Sequence, residues 1–349
     1  MGTTGIPGST RQTMQSRRVH GEPAGVYHYS RKKRRRKKHW TRIVLFISLC
    51  CLLLAGFRFA PFQPFEGLRN LWVTTAMTTL NHQYLATWFF SNDEIQKILD
   101  KNKAVDLGNS NPSAINILGA KNDKEIQLID ISQKGFKGYL LKIKDPSRVK
   151  VAGTSYLGKR GEKAAEIAKE SNAVAVINGG AFSDPEGNGN GGQPRGILIS
   201  GGKILYKENV SKYDLIGFDR NDKLILGHYS LAQIQKMGIR DAVSFDPFLV
   251  VNGKRAITEG DGGWGIAPRT AIGQTKDGTV LMLVIDGRQA GSVGATLKDV
   301  QEIMLKYGAY NVANLDGGAS SVLYYQQKRV NNPSSPYGER NLPSYFIVK

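Results

Sequence analysis

The chain has 349 residues, 40% of them hydrophobic, and a formal net charge of +19. That length allows one large domain or two ordinary ones with a sizeable core. The charge is concentrated: residues 1–42 hold twelve Lys/Arg against the single acid Glu22 and carry +11, which leaves +8 for the rest. No aromatic residues interleave with the basic run Arg31–Lys38, so the stacking platforms of a nucleic-acid binder are missing and nucleic acid is not an expected partner.

Residues 1–39, polar and basic, read as a disordered tail. The run "IVLFISLCCLLLAGF", Ile43 to Phe57, follows. Its fifteen apolar residues make roughly 22 Å of helix, and the flanks extend it. Trp40 suits one interface, and Arg58 can snorkel while Phe59, Ala60, Phe62 and Phe65 stay near lipid. Residues 40–65 therefore read as a membrane anchor. The competing reading, a cleaved signal peptide, would need a basic leader of some forty residues and a cleavage site at Phe57-Arg58-Phe59-Ala60, with an arginine inside it and Pro61 directly behind. Positive charge on the N-terminal side places the tail in the cytoplasm and the remainder outside, as a single-pass protein of the cell membrane. Both cysteines, Cys50 and Cys51, lie in the span, so the exterior part has neither a disulfide framework nor a Cys-ligated zinc site.

Residues 66–125 form a membrane-proximal region. "LRNLWVTTAMTTLNHQYLATWFF" is apolar around much of a helical circumference, which fits packing on the membrane, on a partner or on the main domain. "NDEIQKILDKNK" continues as an amphipathic turn or two, and residues 104–125, rich in Asn, Gly, Ser and Asp, read as a linker. From Ile126 to Lys349 short apolar runs alternate with turns. "GYLLKIK", "RVKVAGT", "AVAVING" and "SYFIVK" read as strands; "GILISGGKILY", "LIGFDRNDKLILG" and "RTAIGQTKDGTVLMLVIDG" read as hairpins. "GEKAAEIAKESN", "LAQIQKMG" and "TLKDVQEIMLKYGA" read as helices, the last two stopped by Gly238 and Gly308. The expected fold class is α+β, an α/β mixture of mixed sheets with flanking helices, preceded by one N-terminal transmembrane helix.

Three strands of residues 126–349 end alike, in a polar residue and glycine after an apolar run: Asn178 before Gly179 and Gly180, Asp286 before Gly287, and Asp316 before Gly317 and Gly318. One such ending is ordinary turn chemistry. Three, each behind a run too apolar for a surface strand, indicate a shared cleft with glycines leaving room for a ligand. Arg269, after Pro268 and before Thr270, starts a strand from a rigid origin, and Arg288 follows Asp286-Gly287. A guanidinium suits phosphate or carboxylate; the alternatives are a structural ion pair for Arg269 and solvated surface for Arg288. "DPEGNGNGGQPR" alternates Asp184, Glu186, Asn188 and Asn190 like a calcium loop, but Arg195 occupies the twelfth position, where an EF-hand needs glutamate. It reads as a flexible lid from which Arg195 reaches the substrate. Calcium is the one cofactor left open. His228 reads as a surface residue, and with no other histidine after His82 a histidine-activated serine nucleophile is not expected.

"INGGAF", "PRTAIGQTKDG", "VIDGR", "SVGATLKDVQEIM", "NLDGGASS" and "VNNPSSPYGERNLPSYFIV", in that order, resemble the phosphodiester glycosidase family, over about residues 138–349. Ala181 and Ala319 stand where that pattern more often has Phe and Gly. The resemblance implies hydrolysis between the anomeric carbon of a sugar and a phosphodiester oxygen. The substrate it implies is a glycosyl-1-phosphodiester of the N-acetylglucosamine type, in cell-surface glycan or exopolysaccharide metabolism. The residue reading fits. A phosphomonoester leaves as a stable anion, so the site needs a positive clamp, Arg269 and Arg288, and an anion near the oxocarbenium-like centre, Asp316 or Asp286. Asn178, Gly179, Gly180, Arg195, Thr270, Gly317, Gly318, Ser320 and Ser321 are the expected substrate contacts. The alternative is a non-catalytic glycan-binding or polysaccharide-assembly protein that retains the pocket. The sequence carries no reading of oligomeric state.

Overall fold

The computed structural model describes residues 30–79, 82–120, 122–185, 189–335 and 338–349; the tail before Ser30 lies outside them. By its contacts the chain divides into Met1–Gly56 and Phe57–Lys349. Helix α1, Ser30–Phe59, contains in Lys38–Phe59 one segment long and apolar enough to cross a membrane by length and composition.

The described residues of the membrane-proximal region form three helices rather than one: α2 (Phe65–Met77), α3 (Tyr84–Thr87) and α4 (Asn92–Asn102). Ser91 caps α4 by accepting from the Glu94 N–H, while the Glu94 carboxylate accepts from Ser91 N at 2.9 Å. Val73, Ala76, Ala86, Phe90 and Ile95 form a small core among these helices. The group is docked on the main domain. Thr74 Oγ1 donates to the buried Asp261 Oδ2 at 2.5 Å, and Ile266 N donates to Thr75 Oγ1. Gly265, at φ +55°, lies so close to Thr75 that an added Cβ would stand 2.3 Å from its Cα. The stretch read as a linker is instead a strap across the domain. Val105 N donates to Ala256 O, Ser110 N to Leu226 O and Asn116 N to Lys276 O, with Ile115 and Ile117 buried. Its Asn and Ser residues bond backbone groups of the domain, as Asn109 Oδ1 accepts from His228 N.

Among the described residues, seventeen strands, numbered along the chain, form three sheets. The largest has the order β1 (Ile126–Asp130), β2 (Gly138–Ile143), β13 (Val280–Ile285), β12 (Arg269–Thr275), β14 (Ala309–Leu315), β10 (Phe248–Val251), β11 (Lys254–Arg255). The second runs β16 (Lys328–Arg329), β15 (Leu323–Tyr325), β4 (Ala175–Asn178), β17 (Ser344–Val348), β3 (Val149–Gly153), and the third β6 (Lys203–Lys207), β5 (Ile197–Ser200), β9 (Asp241–Ser244), β7 (Tyr213–Phe218), β8 (Leu224–Tyr229). The chain adopts the α+β class expected from sequence, and its strand pairings are antiparallel. The helical connections explain this. Helix α5 (Ala164–Glu170) joins β3 to β4, but β17 lies between them; α7 (Leu297–Lys306) joins β13 to β14, but β12 lies between. Each crossover skips one strand, and the intervening strand runs antiparallel to both neighbours.

All three sheets contribute to one core: Met282 and Leu315 from the first, Ile177 and Phe346 from the second, Phe218 and Val243 from the third. Strand β13 is apolar at every position because both its faces are covered. Val280, Met282 and Val284 enter that core, and Leu281, Leu283 and Ile285 pack under Val300 and Met304 of α7. Helix α5 covers the second sheet, and α6 (Leu231–Met237) the third. Thr74→Val should leave a buried Asp261 oxygen without its partner, at roughly 1–3 kcal/mol. Hydrogen exchange should then speed up across residues 65–103 while the strands of residues 126–349 stay protected.

Candidate active site

Antiparallel pairing puts the start of β12 beside the ends of β13 and β14. Arg269 is opposite Ile285, and Thr270 is opposite Leu315. Arg269, Asp286, Arg288 and Asp316 are thereby collected at one edge of the large sheet. Asn178, at the end of β4, joins the second sheet to that edge. Its Nδ2 donates to Asp316 O at 2.6 Å, and its Oδ1 accepts from Thr270 Oγ1 at 2.8 Å and from Val322 N at 3.1 Å. Asn178 and Thr270 are both fully buried. They are the clamp beneath the site and line no part of its cavity, so they are not placed to touch substrate as expected.

The cavity above has a volume of about 560 Å³. Asp316 stands in its wall with Oδ2 buried and without a hydrogen-bond partner. Burial raises its carboxyl to about 6, against hydrogen bonds from the Ser320 side chain and the Gly317 backbone and the positive charge of Arg340. Arg269 and Arg288 line the same cavity, and among the described residues neither is within ion-pair distance of a carboxylate. The structural ion pair weighed for Arg269 is absent there. Its buried guanidinium donates through Nε to Ala295 O and through Nη2 to Trp264 O and Gly265 O. Burial, with the like charge of Arg288 beside it, lowers its pKa to about 9, which still leaves a cation at neutral pH. Arg288 is exposed at the mouth, yet surrounded enough that desolvation lowers its pKa too. Its φ of +57° is the left-handed region that non-glycine residues rarely adopt, held by Arg288 N donating to Val293 O.

Not every expected residue arrives here. Asp286 is not in the cavity wall. Its carboxylate accepts from Asn331 Nδ2 at 2.9 Å and Asn332 N at 3.0 Å and so pins the segment after β16, while burial pushes its pKa up. Ser320 lines the cavity, but Ser321 is buried behind it, its carbonyl accepting from Asn331. Gly317 and Gly318 line the cavity; Gly179 and Gly180 do not. A Cβ on Gly179 would stand 2.6 Å from Ser344 Oγ, and one on Gly180 2.6 Å from Ser244 O. Their small size serves the close approach of β17 in the same sheet and of β9 in the third sheet, not room for a ligand. Arg195 is exposed and paired with Glu208 at 2.8 Å, across the hairpin of β5 and β6. It borders a neighbouring cavity of about 350 Å³ instead.

Three contributions escaped the sequence reading. Arg340 lines the cavity and pairs with Asp184 at 2.7 Å, its guanidinium over the Phe182 ring. The only signal was its place in "YGERNLP", ahead of the last strand. Asp184, read as part of a calcium-like loop, accepts from Gly189 N as well; Glu186 and Asn188 of that loop lie outside the described residues. No group of three or more His, Cys, Asp or Glu able to hold a metal occurs among the described residues. Thr78, Thr79 and His82 reach the cavity from the helical region before the main domain. His228 is remote, bridging Asp214 and Asp106.

The profile of the phosphodiester glycosidase family matches residues 171–349, half of the chain. The chain belongs to that family. The SPbeta prophage-derived uncharacterized protein YomE of Bacillus subtilis is 29% identical over 197 residues, 52% of this chain and 29% of that protein. The bovine N-acetylglucosamine-1-phosphodiester alpha-N-acetylglucosaminidase is 26% identical over 193 residues, 50% of this chain and 36% of that enzyme. The chain thus spans about a third of the length of these two relatives. The catalytic domain of the zebrafish N-acetylglucosamine-1-phosphodiester alpha-N-acetylglucosaminidase superposes with a TM-score of 0.54 at 23% identity, over 64% of this chain and 82% of that one; the two share a fold.

Asn178→Ala should remove three buried hydrogen bonds and lower stability by about 3 kcal/mol. Calorimetric melting measures this, with Asn178→Asp separating loss of the donor from loss of the acceptor.

Proposed function

We propose that this protein hydrolyses glycosyl-1-phosphodiesters of the N-acetylglucosamine-1-phosphodiester kind at the bond between anomeric carbon and phosphate oxygen. We further propose that it works as a membrane-anchored enzyme on cell-surface glycans or exopolysaccharide, with its N-terminus in the cytoplasm. The observation that carries the chemistry is that Arg269 and Arg288, without an ion-pair partner among the described residues, line the same cavity as the unpartnered oxygen of Asp316. Two adjacent cations in a partly dry cavity attract a bound anion with several kcal/mol, and a phosphodiester meets them bidentately. As the C1–O bond breaks, negative charge grows on the phosphate and is held by the arginines, while positive charge grows at the sugar and faces the Asp316 carboxylate. The departing phosphomonoester is a stable anion, so no strong general acid and no cofactor are needed. Water adds its oxygen at the anomeric carbon, and the proton it loses goes to the departing phosphomonoester or to solvent.

In H₂¹⁸O the label should therefore appear in the released sugar and not in the phosphate, with activity insensitive to chelator; label in the phosphate refutes the reading. Asp316→Asn keeps the shape and removes the charge. Turnover should fall by about 10²–10³ or more with the melting temperature unchanged. A near-normal rate with an unchanged melt removes Asp316 from the chemistry.

The pH dependence follows from the same burial. A carboxyl raised from its usual value near ~4 to about 6 is favoured by folding in its protonated form. Stability contributed by that proton is complete below ~4 and is lost as pH rises through about 6, while the carboxylate needed for turnover accumulates. The profile of kcat/KM should thus show an acid limb near 6. Ser320→Ala deletes a hydrogen bond that favours the carboxylate and should move this limb upward by about one pH unit. A limb that stays in place shows that another group sets it.

A further inference from the structure

Among the described residues of the Phe57–Lys349 unit, all but one of the exposed aromatic side chains lie in one stretch. Phe59, Phe62, Trp72, Tyr84, Trp88 and Phe89 are all exposed, Trp88 by 73% and Phe89 by 53%. After Phe90 the described residues offer one more exposed aromatic, Tyr156; the remaining exposed apolar residues are scattered aliphatics such as Leu128 and Val293. Scattered single residues are normal on a soluble surface, and a cluster is not. The cluster is knit together: Trp72 packs edge-on to Phe57 at 6.1 Å and donates to Leu85 O, and Tyr84 packs on Trp88 at 4.8 Å. Residues 59–91 contain two formally charged side chains, Glu66 and Arg69, and both are engaged within the unit. Glu66 pairs with Lys101, and Arg69 donates to the carbonyls of Phe57 and Ala60.

Three occupants suit such a face: a second copy, another protein, or lipid. Chain continuity selects among them. Phe59 is the last residue of the helix whose segment Lys38–Phe59 is long and apolar enough to cross a membrane. Phe62 follows three residues later, at most roughly 10 Å of chain away. Rings that are apolar in body, with a polar edge on Trp and Tyr, are the side chains enriched where hydrocarbon meets water. We propose that the aromatic face of residues 59–89 rests on the membrane surface, with Phe62, Trp88 and Phe89 in the headgroup layer. The same stretch supplies Thr78 and Thr79 to the cavity, so a docked face keeps the cavity next to the bilayer. The resulting preference for a lipid-borne or surface-bound glycosyl phosphate rests on the function proposed above; the docking does not.

The test uses the full chain, with Cys50→Ser and Cys51→Ser, in nanodiscs of phosphatidylcholine and phosphatidylglycerol. Nitroxide labels are placed through Phe62→Cys, Trp88→Cys or Phe89→Cys, and through Val293→Cys as a control on the main domain. Power saturation should show the first three labels several-fold more accessible to oxygen relative to a water-soluble nickel chelate than the control. Labels that respond like the control face water and overturn the proposal. Labels shielded from both reagents are covered by a second copy or another protein and overturn it equally. A measurement without labels stands beside it: brominated phosphatidylcholine should quench the tryptophan emission of the unsubstituted chain more than that of Trp88→Tyr. Equal quenching of the two counts against docking.

Discussion

The site depends on one buried side chain. Asn178 sits at the end of β4, where the second sheet meets the first. It joins the backbone of Asp316, the hydroxyl of Thr270 and the N–H of Val322. An amide suits this position because it offers donors and an acceptor without charge, where a carboxylate would bring a desolvation cost and no donor. The glycines that follow are part of the same constraint. Gly179 and Gly180 let β4 pass within contact distance of Ser344 and Ser244, so the three sheets converge under the cavity. The edge that carries the cavity is thereby fixed to the core, and a loop conformation need not hold it.

On this frame the chain places charges that are not balanced locally. Arg269 is held by three carbonyl groups and no carboxylate, and Asp316 keeps a buried oxygen without a donor. Arg340, by contrast, is neutralised by Asp184 at 2.7 Å. Charges left without partners in a partly dry cavity cost stability, and they interact with a ligand far more strongly than the same charges in water. The positive φ of Arg288 belongs to the same pattern, a strained residue retained at the mouth of a cavity. Family membership rests on sequence similarity, whereas this electrostatic arrangement rests on burial and charge.

The region before residue 126 is more closely built into the domain than its composition suggests. The helices of residues 65–102 dock through Thr74 and Thr75, on the loop whose Trp264 and Gly265 carbonyls receive Arg269. A change in that docking therefore reaches the guanidinium through two bonds of backbone contact. The strap that follows is fixed at Val105, Ser110 and Asn116. A region outside the family's matched span thus supplies both wall and support to the cavity.

What the sequence determined by itself was the periodic and the local. The apolar runs of β4, β13 and β14, the helix α7 with its stop at Gly308 and the turn at Gly201-Gly202 follow from alternation and glycine chemistry, which act over a few residues. The order of the motifs was legible too, and with it the family and the convergence of Arg269, Arg288 and Asp316. What only the tertiary structure decided was where side chains point once strands pair. Asn178, Asp286 and Asp316 end their strands alike in sequence. Register and sheet contacts then turn the first into a clamp and the second into an anchor for Asn331, and leave the third in the cavity. Arg340 is decided in the same way, because Asp184, the partner that claims it, lies far away in the chain; Arg195 is claimed by Glu208 across the β5–β6 hairpin. Local rules carry no information on such distances, so the linker that became a strap and the arginine that became a cavity wall were beyond the reach of the sequence alone.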